Sequence, residues 1–223
     1  MTYKKQIVCF ANSWKTGGSC VAGREVSVRN WGPWVRPVSQ RATHEVFDAE
    51  KRYADGSAPA LLDVIEVPLQ APQPNAHQQE NHVIDGSPWS RRGAATWAQI
   101  QSAVEDPQGP LWVNGHSTWK GTNDSVPEAT AITFRRSLYL VRPVNLRIVK
   151  VFDAYKGRHQ TRARFELCGE GYCLSLTDPA AEMRFAPQQP DDETAVPDAL
   201  MCVSLSEVFS GSAYKLAAAI LTP

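Results

Sequence analysis

About five short strand-like runs in each half of the chain, abundant Gly and Pro turns between them, and a scarcity of helical spacing predict a mostly β protein. With one short helix between strands in each half, the count fits two small antiparallel barrels or one larger sandwich. The small barrel that fits is the five-stranded OB type. The predicted architecture is therefore two tandem OB-like five-stranded barrels with short helices.

Each element has its own signal. Ile7 to Ala11 is a compact apolar run, and Gly17-Gly18 turns the chain into Ser19–Val28, where Gly23 sits at a place for a bulge or sharp bend. Trp34–Val38 is a short strand in which Pro37 suits an edge. Leu62–Leu69 alternates, Val64 to one face and Ile65 and Val67 to the other, until Pro68, Pro72 and Pro74 end it. Trp97, Ile100, Ala103 and Val104 predict a helix over Ala94–Val104, capped near Ser87 to Ser90. In the second half, Leu138–Val141, Leu146–Phe152, Thr161–Leu167, Gly171–Leu176, Met201–Leu205 and Tyr214–Ile220 read as strands. Thr177-Asp178-Pro179 reads as an N-cap and proline start for one or two helical turns. The expected domains are 1–131, with a helical and loop insertion, and 132–223.

Composition narrows the class. Hydrophobic content of 43% and charged content of 21% in 223 residues are those of a soluble globular protein, with no signal-like or membrane-spanning apolar stretch, so a cytoplasmic location is expected. Five cysteines lack the C-x-x-C pairs of zinc sites and imply no disulfide framework; Cys168 and Cys173 flank a GEGY hairpin turn. Net charge is zero but unevenly spread. Residues 135–164 hold nine Lys/Arg against Asp153 alone, and residues 165–200 hold eight acids against Arg184 alone. Local fields of this kind steer an anionic ligand, unless opposite charges meet in the fold and cancel.

Several phrases occur together: IVCFANSWKTGGSCVAG (7–23), WVRPVS (34–39), DVIEVPL (63–69), HQQENHVID (77–85), LWVNGHSTWKGTNDSVP (111–127) and SLSEVF with YKLAAAIL (204–221). In this order the chain resembles the bacterial dual OB domain-containing protein family, almost end to end. The resemblance implies two OB barrels in tandem and nucleic-acid binding, in bacterial defence or repair settings. It brings no catalytic residue with it.

Four stretches carry chemistry. The 114–124 loop, NGHSTWKGTND, offers Asn114, His116, Ser117 and Asp124 to a hydrolase or nucleotide-processing reading. Adjacent residues of a strand point to opposite faces, no G-x-S-x-G elbow is present, and the glycines and Asx residues carry turn chemistry. The loop therefore reads as a scaffold between the domains, pinned by its own amides and offering Trp119 or Lys120. In ANSWKTGGSC, Lys15 precedes the glycines, which excludes a Walker loop, but Trp14 and Lys15 occupy the first inter-strand loop of an OB barrel, a ligand-contacting position. Trp34 and Arg36, with Trp31 and Arg41 about them, combine stacking surface with cations. Finally, Tyr155, Lys156 and Arg158 precede a strand on which Arg162 and Arg164 share one face, suited to a phosphate backbone, or else a plain solvated face.

The expected function is non-catalytic binding of single-stranded DNA or RNA, through Trp14, Lys15, Trp34, Arg36, Tyr155, Lys156, Arg158, Arg162 and Arg164. No cofactor, metal or membrane partner is expected: His77 and His82 lack a ligand set. The alternatives are an enzyme acting through the 114–124 loop and an adaptor that docks a protein partner by its edges.

Overall fold

The computed structural model describes residues 2–15, 17–26, 30–153, 157–189 and 192–223. They form two compact units, Met1–Ala103 and Val104–Pro223.

In the first unit six strands follow in order: β1 (Tyr3–Lys15), β2 (Gly18–Val26), β3 (Trp31–Val38), β4 (Asp63–Pro72), β5 (Asn81–Ile84) and β6 (Ser90–Ala94). The sheet order is β1-β2-β3-β5-β4-β6, and β4 also pairs with β1, which closes a five-stranded barrel. β3 and β5 run parallel; the other pairs are antiparallel. The long β1 makes closure possible: Tyr3 to Val8 pair with β4, and Ile7 to Lys15 with β2. Its inward side chains Ile7 and Cys9 meet Val21, Val35, Ile65, Val67 and Leu69 in the core.

Two glycines permit the first hairpin. Gly17 takes φ +85°, and the Cα of Gly23 lies so close to β1 that an added Cβ would stand 2.1 Å from the Val8 carbonyl oxygen. The register shifts here between Cys9 and Ala11, as the bulge reading of Gly23 expects. Pro37 pairs only on the β5 side, beyond the last β2 partner, Val35. A strand interior thus tolerates it where no ladder bond to β2 is due.

The predicted helix shrinks to α1 (Trp97–Ile100) and a 3-10 turn, Gln101–Ala103, while Ser90–Ala94 is strand. The cap is Thr96, not a serine near 87–90. Its side chain accepts from the Gln99 N–H while the Gln99 side chain accepts from the Thr96 N–H, a reciprocal capping box.

The second unit contains β7 (Ser125–Pro127), α2 (Glu128–Ala131), β8 (Leu138–Val141), β9 (Val144–Asp153), β10 (Arg158–Leu167), β11 (Glu170–Leu176), α3 (Pro179–Phe185), β12 (Glu193–Ala195), β13 (Leu200–Leu205) and β14 (Ser212–Leu221). The sheet order is β12-β9-β10-β11-β14-β13-β8, with β11 and β14 parallel as β3 and β5 are. What β1 does in one piece is here divided. β8 pairs with β13, β9 pairs with β10, and the break falls at Arg142-Pro143, where proline has no N–H for a ladder. β10 and β11 are joined through Cys168-Gly169, both at positive φ, so Cys168 lies in the turn itself rather than beside it. α3 starts as expected: Asp178 caps it by accepting from Ala180 and Ala181, and its second oxygen accepts from the Ile220 N–H of β14.

The unit boundary lies at 103/104, not at 131/132. Leu111 is buried in the second core and its N–H donates to the Tyr172 hydroxyl, β7 pairs with β14, and Val126 and Ala131 pack with Leu205 and Ala213. Residues 104–131 thus complete the C-terminal barrel.

Gly23→Ala places a methyl group against backbone that cannot rotate away, so it is expected to destabilise the N-terminal barrel by about 1–3 kcal/mol. A fall in the urea midpoint at unchanged m-value is the measurement that checks it.

Candidate nucleic-acid interface

The 114–124 loop lies on the outer face of β10 and β11, held by two buried cations. Asp124 accepts from the Thr118 N–H (2.7 Å), the Thr118 hydroxyl (2.6 Å) and Arg162 Nη1 (3.1 Å). Both side chains of the ion pair are buried, at 6% and 5% exposure. Arg162 Nη1 also donates to the Cys173 carbonyl, and Thr122 and Cys173 exchange backbone hydrogen bonds. Gly121 makes room for the carboxylate: a Cβ there would lie 1.8 Å from Asp124 Oδ2. At the loop's other end Lys215 Nζ donates to the Val113 carbonyl (2.7 Å) and to Asn114 Oδ1 (2.9 Å). Its ammonium lies 5.2 Å from the Tyr172 ring centroid, and burial brings its pKa down to about 8.

Inside the loop, Asn123 sits at φ +51°; its Oδ1 accepts from the Gly115 N–H, and its Nδ2 donates to the Gly171 carbonyl. Its own N–H donates to Ser117 Oγ. The polar density of the sequence is therefore used internally, as the scaffold reading expects, although the loop belongs wholly to the second unit. The hydrolase constellation is not assembled: Asp124 binds Thr118 and Arg162, while His116 and Ser117 are exposed. Among the described residues no group of three His, Cys, Asp or Glu is placed to hold a metal ion.

Beside the loop is a cleft of about 600 Å³. Its floor includes Gln160 and Arg162 of β10, Ser175 of β11 and Leu216 of β14; Trp119 and Lys120 stand on one side, and Phe209, from the β13–β14 connection, on another. In an OB barrel this is where ligands lie, on the second and third strands beside the loop joining the fourth and fifth. Trp119 is 82% exposed and Phe209 72%, and Lys120 Nζ lies 5.3 Å from the Trp119 ring centroid. Two large rings open to water thus stand beside one cleft floor.

The residues named from sequence fall into different places. Trp14, at the end of β1, is 69% exposed beside the half-buried Lys15, an accessible position. Trp34 and Arg36 are buried: Trp34 packs on Phe10, and Arg36 pairs with Glu80 at 3.1 Å. Arg41 is taken up by Glu50 and the Phe47 ring, and Trp31 Nε1 donates to Ser102. The 30–41 run is thus interior and scaffold rather than a gripping surface. Tyr155 and Lys156 lie outside the described residues. Arg158 is exposed at the start of β10.

Arg162 and Arg164 do share a face by strand parity, but not as an open phosphate track. The loop covers Arg162, and Arg164 pairs with Glu193 of β12, which Arg147 also approaches at 3.5 Å. Glu193, an acid of residues 165–200, meets the preceding cations Arg147 and Arg164 in this way, and Arg162, buried against Asp124, is part of the fold. Sequence reasoning missed Phe209, Lys215 and the partnership of Asp124 with Arg162. An aromatic followed at once by Ser-Gly is the one signal that marks Phe209 as a hairpin tip.

The family model for the dual OB-containing domain matches residues 5–220. The chain belongs to that family. Two units with the same strand order, each with a parallel pair joining its third and last barrel strands, are what the family's description requires. No curated protein and no solved structure matches the chain. Among the described residues no helix of this dual OB protein is long and apolar enough to cross a membrane.

Asp124→Ala leaves the Arg162 charge buried without its counter-ion, and is expected to destabilise the C-terminal barrel by about 3–5 kcal/mol. Adding Arg162→Met should recover most of that loss. Urea unfolding of the single and double variants checks both halves of the statement.

Proposed function

We propose that this dual OB protein binds single-stranded nucleic acid, DNA or RNA, in the cleft of its C-terminal barrel. The observation that carries the reading is the placement of two exposed aromatic rings, Trp119 and Phe209, beside the floor formed by β10, β11 and β14. Bases stack on such rings whatever their sequence, at about 1–3 kcal/mol per base, and only unpaired bases offer their faces. Lys120 beside Trp119, and the exposed Arg158 at the start of β10, supply the charges that a phosphate backbone needs. Trp14 gives the N-terminal barrel an exposed ring at its own first inter-strand loop.

The role is binding rather than turnover, a reading supported by the commitment of Asp124 to Arg162 and Thr118. Free thiols at all five cysteines accord with a cytoplasmic location. An accessory part in bacterial defence or repair is the setting that fits such a binder.

Trp119→Ala and Phe209→Ala are each expected to weaken binding of a short oligothymidine by about 1–3 kcal/mol, with the fold intact by circular dichroism. Lys120→Ala should flatten the log–log salt dependence by about 0.7. Arg164→Ala, whose charge faces Glu193, should bind like the parent. Unchanged affinity in both ring variants would sink the proposal.

A further inference from the structure

Arg162 lies on the floor of the cleft with only part of its fork used. Nη1 donates to Asp124 and to the Cys173 carbonyl. On the opposite edge, Nε is buried without a hydrogen-bond partner among the described residues, and the one bond given for Nη2 is to Thr118 Oγ1 at a long 3.5 Å. The edge formed by Nε and Nη2 is one from which a guanidinium donates to two neighbouring acceptors at once. A buried donor left unmet is destabilising, so a ligand that meets it recovers that loss.

Charge decides which acceptors fit. The guanidinium is already matched by the Asp124 carboxylate, itself buried and at 3.1 Å, so the pair as a whole is neutral. Of the other charged groups that line the cleft, Lys215 already donates to the Val113 carbonyl and Asn114 Oδ1, and Asp153 repels an anion, so a neutral pair of acceptors suits the floor better than a phosphate. Phosphates are better served outside, by Lys120 beside the exposed ring. Trp119 and Phe209 line the same cleft as Arg162, so a base stacked on either ring can present its edge to the floor. Among the bases, guanine places two neutral acceptors, N7 and O6, at the spacing an arginine edge meets bidentately, whereas adenine places a donor beside N7.

We infer that the cleft of the C-terminal barrel selects guanine, read at N7 and O6 by the Nε–Nη2 edge of Arg162. The inference rests on the proposed binding of single strands and adds the base that is preferred. Nε is itself shielded from water, so reading by this edge requires the Thr118 side chain, 3.5 Å from Nη2, to turn aside, a rotamer change of the kind common at interfaces.

The test uses the full chain and short oligothymidines with one central position changed, titrated in competition. Guanine and hypoxanthine, which both carry N7 and O6, should bind about 5- to 100-fold more tightly than adenine, and 7-deazaguanine should lose much of that gain. Arg162→Lys, which keeps a cation for Asp124, should abolish the preference, so that the guanine and adenine oligomers bind that variant alike. If that variant does not fold, the comparison of bases on the parent protein decides alone. Equal binding of all four oligomers overturns the inference but leaves stacking intact, provided that Trp119→Ala still weakens them. Equal weakening of all four by Arg162→Lys, with a shallower salt slope, would also overturn it and assign the edge to phosphate. Binding of none would remove the proposed function itself, and the guanine inference with it.

Discussion

A guanidinium and a carboxylate withdrawn together from water are tolerated only when each meets the other and the remaining polar atoms are mostly satisfied. In the C-terminal barrel that constraint is the pair Arg162–Asp124, and much of the surrounding structure follows from it. Arg162 comes from the middle of β10, so the barrel supplies the fixed partner. Asp124 ends a loop, so meeting Arg162 folds that loop onto the face of the barrel. Gly121 has no side chain because the carboxylate occupies its Cβ position. Thr118 satisfies the carboxylate from within the loop, and that holds the next residue, Trp119, at the rim. One ion pair thus fixes both a wall and the aromatic ring it presents.

The two barrels solve closure differently. In the first, an unbroken β1 pairs with both β2 and β4, and its bulge is accommodated by Gly23. In the second, Arg142-Pro143 divides the equivalent run into β8 and β9, each with one neighbour from the barrel. The outer faces differ as well. Arg24 and Trp31 of the first barrel are tied to the 3-10 turn after α1, through Ala103 and Ser102. In the second, a loop rather than a helix lies on the strands, and a cleft lies beside it. A cleft of similar volume lies on the first barrel, but its Arg24 is engaged with the β3 backbone and with Ala103, and its Trp31 with Ser102. The binding reading therefore concentrates on the C-terminal barrel, where Trp119 and Phe209 stand exposed.

Strand positions were legible because alternation and turn residues are local. Thr161–Leu167, the Asp178-Pro179 cap and the bulge at Gly23 all rest on a few neighbouring residues, and all stand in the structure. The covering of Arg162 was not legible: parity placed it outside the barrel, and only a tertiary contact with a residue 38 positions away buries it. Trp34 and Arg36 misled for the same reason, since a Trp–Arg pairing on paper resembles a binding surface until Phe10 and Glu80 are seen against it. The unit boundary moved because β7 finds its partner in β14, a pairing no local pattern announces. The site was half visible. The loop's turn chemistry and Trp119 could be read, whereas Phe209 and Lys215 join it only through the β13–β14 hairpin.

The central claim is that single strands lie in the cleft between Trp119 and Phe209, on the face of β10, β11 and β14. Photocrosslinking of an oligonucleotide containing 4-thiothymidine, followed by peptide mapping, tests it most directly, because the bond forms only where base and ring are in contact. The expected crosslinks fall on the peptides that contain Trp119 and Phe209, and are lost to excess unlabelled strand. Crosslinks confined to other surfaces, such as the Trp14 loop of the N-terminal barrel, would contradict the claim.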